Sequence, residues 1–141
     1  MKSKRYLVLL NHEINDLLID FIWSFIKQNK SIVYFVYVIE IPPKYPIDHE
    51  EKNLILIGQS ALKKVHEILL DYNIDYDING KNFILIQSRS IGVGIIKEAK
   101  RLNIDIIAYS KKINLELSEH NYIKKYANTT ILELNNLWKS Q

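Results

Sequence analysis

Short unbroken apolar runs and helical apolar periodicities follow one another along the chain. The first run, residues 6–10, stops at polar Asn11; it predicts a strand buried on both faces, although periodicity alone leaves a buried helix open. Residues 31–41 are rich in β-branched and aromatic side chains and end at Pro42, which predicts a second buried strand. Between these strands, apolar positions three and four apart predict an amphipathic helix: Leu17, Leu18, Phe21, Ile22, Phe25 and Ile26.

All three prolines of the chain lie in the segment that follows the second strand, residues 42–51. Proline together with several charged side chains predicts an exposed, irregular connection, hereafter the Pro-rich loop. The next apolar positions recur with a period of about 3.6 from Leu54 to Tyr72, which predicts a helix of about 20 residues.

The second half of the chain predicts three more strands. Residues 82–87 form the first of them, and an antiparallel hairpin at Asn79 and Gly80 stays open as an addition to the sheet. The elements after it are a helix opened by Gly92 and Gly94, a strand over residues 105–109, a helix capped by Ser118 and a strand over residues 129–134.

Strands that alternate with helices imply βαβ units, and right-handed crossovers between them give a mostly parallel sheet with helices on both faces. The predicted fold class is therefore α/β, a three-layer sandwich with five strands, formed by a single domain over residues 1–141. In such sheets ligands bind beyond the carboxyl ends of the strands, where the strand order reverses. The candidate rim comprises residues 11–15, 40–45, 88–92 and 110–114.

Composition excludes several function classes. The chain has no cysteine and a formal net charge of +3, so thiol chemistry is excluded and nothing favours nucleic acid as a partner. The apolar run at residues 6–10 is too short for a secretory signal, and no run approaches the roughly 20 residues of a membrane helix. We therefore expect a cytoplasmic protein that binds neither nucleic acid nor membrane.

The reactive side chains form no recognisable catalytic or metal-binding motif. The four histidines lack zinc-motif spacing and no serine has the glycines of a hydrolase nucleophile, so we expect no metal and no enzymatic activity. His12 follows the first strand and is a candidate base or ligand contact, against the interpretation of an ordinary surface histidine. Ser88, Arg89 and Ser90 precede a helix N-terminus and suit an anion, against the interpretation of a plain turn and cap.

Three segments are similar to the universal stress protein family. They read VYVIEI at residues 36–41, IGVGIIKEAKRLNIDIIA at residues 91–108 and YIKKYANTTILEL at residues 122–134. The resemblance covers nearly the whole chain. With the βαβ alternation, it implies a strand order of 3-2-1-4-5. The residues expected to be fully buried at the centre of that sheet are Val8, Val36 and Ile107.

The same resemblance implies where a ligand and a partner would bind. In the family, a backbone group at the position of Val38 meets adenine. The candidate ligand-binding residues at this rim are Asn11, His12, Val38, Ser110 and Lys111. The family commonly dimerises through the last strand, whose edge here has only Glu133 to discourage association. We therefore expect a homodimer whose interface contains Thr130, Ile131, Leu132 and Leu134.

The chain departs from ATP-binding members of the family in the loop after the fourth strand. Those members carry glycines there, whereas this sequence continues from Ser110 into Lys111 and Lys112 and has no glycine after Gly94. Backbone N–H groups reach phosphate oxygens in conformations that a Cβ obstructs. Asn11 also stands where those members usually have aspartate. We therefore expect weak or no binding of ATP or AMP, and no bound cofactor.

Three functions are compatible with these residues. The leading one is a universal stress protein-like regulatory module of the stress response. The second is a module that binds a nucleotide or another small anion at the rim of the sheet. The third, ranked last, is an enzyme of the related adenine-nucleotide hydrolase-like folds, because the pyrophosphate-binding loop of those folds is replaced by Asn11, His12, Glu13, Ile14 and Asn15.

Overall fold

The computed structural model describes residues 4–12, 20, 31–71, 82–110, 113 and 115–134. The strands in this part of the chain are β1 (Arg5–Leu10), β2 (Ile32–Glu40), β3 (Phe83–Ser88), β4 (Ile106–Ser110) and β5 (Thr130–Leu134), and the helices are α1 (Lys52–Asp71), α2 (Ile91–Arg101) and α3 (Leu117–Tyr126). The helix predicted over residues 17–26, the hairpin at Asn79 and Gly80, and Lys111 lie outside the described residues.

The five strands form one sheet in the order β3-β2-β1-β4-β5, and all four neighbouring pairs are parallel. The predicted fold class and strand order are therefore confirmed. Val8 of β1 pairs with Phe35 on one side and Ala108 on the other. Val8, Val36 and Ile107 each have 0% of their surface exposed, as expected for the centre of a sheet covered on both faces.

Alternate residues of the strands enter two separate hydrophobic clusters, one on each face of the sheet. Leu7 and Leu9 of β1 lie in the cluster that packs against α2 and α3. Tyr6, Val8 and Leu10 lie in the cluster that packs against α1. The sheet is therefore the middle layer of a sandwich, and both faces of β1 are needed to bury the helices.

The helix ends explain how the chain turns back into the sheet. Ser90 is the N-cap of α2, and its hydroxyl accepts a hydrogen bond of 3.3 Å from the N–H of Val93. The prediction that Ser118 caps α3 is wrong: the helix begins at Leu117, and Glu116 holds the N-cap position without a side-chain cap bond. Asn103 and Asn128 follow α2 and α3 with φ of 53° and 52°, a conformation that asparagine tolerates well.

Among the described residues, no helix has the length and apolar content needed to cross a membrane.

Candidate functional site

A crevice of about 300 Å³ opens at the carboxyl ends of β1 and β2, beside the first turns of α2 and α3. We call it the rim crevice. It adjoins the point where the strand order reverses, between β1 and β4, because the chain runs outward from β1 to β2 and β3 on one side and continues in β4 and β5 on the other. This is the position at which open α/β sheets bind ligands. Its lining residues are Leu9, Leu10, Asn11, Tyr37, Val38, Glu40, Ile91, Ile113, Leu115, Glu116 and Glu119.

The structure brings only part of the predicted ligand-binding set together. Asn11 and Val38 both line the rim crevice, as their positions at strand ends implied. His12 is exposed and is not part of the lining. Ser110 is 3% exposed and lines a neighbouring groove on the β5 side of β4. Asn11, His12 and Ser110 all have interactions within the chain.

Carboxylates dominate the charge of the rim crevice. Glu40 comes from the end of β2, Glu116 from the N-cap position of α3 and Glu119 from its first turn. Burial, and then the charges of Glu119 and Glu116, raise the pKa of Glu40. No lysine, arginine or histidine occurs among the described residues that line the crevice. The described lining therefore contributes a negative potential to the crevice.

One of these carboxylates already occupies a place that suits an anion. Oε2 of Glu119 accepts a hydrogen bond of 3.4 Å from the N–H of Gly92, in the first turn of α2. Ser90 caps the next N–H of the same turn. The free N–H groups of a helix N-terminus attract anions. Here the Glu119 carboxylate supplies the negative charge from within the chain. This supports the interpretation of residues 88–94 as a turn and cap.

Arg89, the predicted anion ligand, holds the Pro-rich loop instead. Its Nη1 donates to the carbonyl oxygens of Pro42 and Tyr45 at 2.8 Å and 2.7 Å, and to that of Ile41 at 3.4 Å. Gln87 adds two bonds of 2.8 Å, to the carbonyls of residues 47 and 49. The guanidinium thus donates to backbone carbonyls and ties the start of the Pro-rich loop to the residue that follows β3.

A second site lies on the β5 side of the sheet. A groove of about 420 Å³ is lined by Tyr109, Ser110, Ile113, Leu115, Leu117, His120 and Glu133. Three titratable side chains from β4, α3 and β5 converge there. Within the part of the chain that the structure describes, no cluster of three or more histidines and carboxylates is arranged to hold a metal ion.

Sequence reasoning did not find Glu116, Glu119 or His120 as site residues. Glu119 and His120 belong to α3 and Glu116 is its N-cap, and that helix was predicted only as a packing helix. Their one local signal is that Glu116 and Glu119 lie at the start of that helix, where acidic residues are common because they complement the helix dipole. That common stabilising role gives no indication of a crevice.

No protein-family model matches the chain, and no curated protein matches it. Several solved structures are similar to the chain. A universal stress protein from Archaeoglobus fulgidus has a TM-score of 0.69 at 13% identity, with 94% of each chain covered. The universal stress protein from the same organism in complex with dAMP has a TM-score of 0.68 at 12% identity, covering 96% of this chain and 100% of that one. A universal stress protein in complex with cAMP has a TM-score of 0.58 at 9% identity, covering 93% and 95%.

These similarities define the architecture as an α/β sandwich with a parallel sheet. More particularly, the chain has the universal stress protein fold, as the resemblance in its sequence implied.

Proposed function

We propose that this chain is a universal stress protein-like regulatory module that works without catalysis and without tight ATP binding. The observation that carries the proposal is the acidic lining of the rim crevice, where Glu40, Glu116 and Glu119 face the space between β1, β2 and the two helices. Two unit charges about 4 Å apart repel by about 1 kcal/mol in water and about 4 kcal/mol near a protein surface. A polyphosphate in this crevice would meet that repulsion several times over.

The base-binding half of such a site is better preserved than the phosphate-binding half. Val38 is only 8% exposed and lines the crevice together with apolar Leu9, Ile91 and Leu115. An uncharged purine can use an apolar wall and backbone groups without meeting a charge penalty. The features of this crevice therefore favour a neutral ligand over its phosphorylated form.

A second candidate function is the binding of a nucleotide or another small anion at the rim of the sheet. It is supported by the two structural neighbours that were solved in complex with dAMP and with cAMP. Both of these nucleotides carry less negative charge than ATP. It is also supported by the presence of Asn11 and Val38 in one crevice. On this hypothesis, Lys111 would supply the charge that the glycine loop does not.

Calorimetric titration with ATP and with adenosine distinguishes the two functions. We expect a dissociation constant for ATP no tighter than about 100 μM, and adenosine to bind at least as well as ATP, because each lost hydrogen bond to a charged phosphate costs roughly 1.5 to 3 kcal/mol. Mass spectrometry of the protein as purified should find no retained nucleotide. A low-micromolar ATP constant that Lys111→Ala weakens would contradict the leading proposal and favour the second.

We also propose that the module is a homodimer formed through β5. Within the described part of the sheet, β5 has β4 as its neighbour on one side and nothing on the other. Ile131, Leu132 and Leu134 of this strand are only partly buried. An edge strand with apolar side chains is a template for pairing with a second copy.

Substitution on the exposed end of this strand tests the dimer. Thr130→Lys places two extra positive charges in a symmetric interface, one from each copy, and should weaken association about tenfold or more. Ser118→Lys, also on an exposed residue but in α3, is the matched control. Sedimentation should show wild type and the control at twice the 16.6 kDa mass of the chain. A wild-type monomer at micromolar concentration would rule the dimer out.

A further inference from the structure

Three titratable side chains from three different elements meet in the groove beside β5. The Tyr109 hydroxyl makes a hydrogen bond with Nδ1 of His120, and the same nitrogen lies 3.4 Å from Oε2 of Glu133. Tyr109 and Glu133 are partners in the β4–β5 register, so their side chains leave the same face of the sheet. His120 lies on α3 and reaches both of them. The cluster therefore connects a central strand, an edge strand and the helix that covers them.

The hydrogen bonds within this cluster differ between the two charge states of His120. When Nδ1 carries no proton it accepts a hydrogen bond from the Tyr109 hydroxyl, and the Glu133 carboxylate then faces an acceptor with which it cannot bond. When the ring is protonated, Nδ1 carries a hydrogen and becomes a donor. Burial and the charge of Glu133 raise the pKa of Tyr109 to about 12. The phenol therefore keeps its proton throughout the range in which a histidine titrates.

We propose that protonation of His120 closes a clamp between α3 and β5, by pairing the imidazolium with the Glu133 carboxylate of the edge strand. The proton comes from solvent, because the side chains of His120 and Glu133 are 22% and 30% exposed in the open groove. Before protonation, the contact of α3 with this end of the sheet includes one hydrogen bond between neutral groups. After it, Nδ1 no longer accepts from the Tyr109 hydroxyl, and a charge-assisted contact with Glu133 replaces that bond and joins the helix to the edge strand.

The charged groups around His120 are few in the part of the chain that the structure describes. β4 contributes Tyr109 and β5 contributes Glu133. On its own helix, Glu116 lies one turn before it and Lys124 one turn after it, and both are exposed. Because these two have opposite charges and lie in solvent, they roughly cancel, and Glu133 is the neighbour that distinguishes the two states of His120.

A positive charge beside Glu133 also changes the edge of the sheet. Glu133 is the one charged residue of β5, and charges on edge strands discourage pairing with another chain. Protonation of His120 should therefore favour association through β5. This consequence rests on the proposed dimer, whereas the clamp itself acts within one chain.

Nuclear magnetic resonance of the histidine rings tests the clamp directly. We expect the titration midpoint of His120 to lie at lower pH in Glu133→Gln than in the wild type, by about 0.5 pH units or more, which is about threefold in proton affinity. Glu51→Gln is the matched control, because His49 lies 2.8 Å from Oε1 of Glu51 within a single loop. It should leave the His120 midpoint unchanged. A smaller shift of His120 in Glu133→Gln, or a shift of equal size in the control, would overturn the proposal.

Thermal unfolding gives a second readout that does not depend on the fold of Glu133→Gln. The ion pair stabilises the folded chain when His120 is protonated, so its contribution is present at pH 5.5 and lost as the pH rises to 8. The wild type should therefore exceed His120→Gln in melting temperature by at least about 2 °C more at pH 5.5 than at pH 8. A difference between the two proteins that is the same at both pH values would overturn the clamp.

Sedimentation at the same two pH values separates the clamp from the dimer. If a dimer forms, the wild type should associate about threefold or more tightly at pH 5.5 than at pH 8, and Glu133→Gln should associate equally at both. A dimer with the same pH dependence in both proteins would overturn the link to the edge strand. A monomer at both values would overturn the proposed dimer and this consequence with it, while the ring titration and the melting curves still decide the clamp.

Discussion

Replacing Gly58 with valine is expected to destabilise the folded chain by about 2 to 3 kcal/mol, the usual cost of overpacking a close contact. Gly58 lies in α1 where the helix packs on β2 and β3. A Cβ at this position would lie 2.6 Å from Cδ1 of Leu85 and 2.9 Å from Cδ1 of Tyr37. Those two residues are partners in the β2–β3 register, so the two branches of valine would push against both at once. The gain in helix propensity over glycine is at most about 1 kcal/mol and does not offset this.

Urea unfolding followed by circular dichroism measures the loss. Gln59→Val is the matched control, because Gln59 is the next residue of the same helix and is exposed. The control should stay within about 0.5 kcal/mol of the wild type, as surface substitutions usually do. Equal stability of Gly58→Val and Gln59→Val would show that α1 can move away from the sheet, and would contradict the close packing of helix and sheet at this position.

The sheet was predictable because its central strands are buried on both faces. Such strands read as continuous apolar runs, and the run at residues 6–10 corresponds to β1 (Arg5–Leu10). Each of the five predicted strands has ends within one residue of those observed. The alternation of strands with helices then left few topologies, since crossovers are right-handed. The local pattern and the topology rules therefore gave the α/β class, and the resemblance to the universal stress protein family singled out the strand order.

The start of α3 was not predictable in the same way. Ser118 has the chemistry of a cap, but capping also requires the chain to leave the helix axis at that residue. Here it does so at Glu116, whose φ and ψ are −59° and 146°. The exit direction depends on how the preceding segment reaches the end of β4, and no residue type near Ser118 encodes that path. A prediction from residue propensity alone therefore placed the N-cap at Ser118, two residues after the observed N-cap at Glu116.

The candidate site was only half predictable for a related reason. Asn11 and Val38 were found by a rule that applies to any strand end in a parallel sheet. The acidic character of the crevice needs Glu40, Glu116 and Glu119 to converge from separate segments, and Glu119 meets Gly92 across 27 positions of sequence. No spacing rule covers contacts of that range. The missing glycines predicted a weak phosphate site, but they did not predict carboxylates in its place.

Replacing the three carboxylates of the rim crevice with glutamine is expected to tighten ATP binding about 10- to 100-fold. Each of Glu40, Glu116 and Glu119 lines the crevice, and each removed charge is worth roughly 0.5 to 1 kcal/mol against a phosphate at the distances of a small pocket. Glutamine keeps the size of the side chain, and its amide oxygen can still accept from the N–H of Gly92. The substitution therefore changes charge while preserving the shape of the site.

Calorimetric titration of the triple variant with ATP and with adenosine separates charge from shape. Adenosine has no phosphate, so its affinity should change by less than about twofold, and the gain for ATP should shrink as salt screens the charges. The matched control replaces exposed Glu50, Glu67 and Asp71 with their amides, which changes the net charge of the chain by the same amount away from the crevice. An equal gain in ATP affinity for the control would assign the effect to overall charge. If the triple variant binds ATP no more tightly than the wild type, the carboxylates of the crevice do not weaken ATP binding. The local repulsion on which the proposed function rests would then be absent.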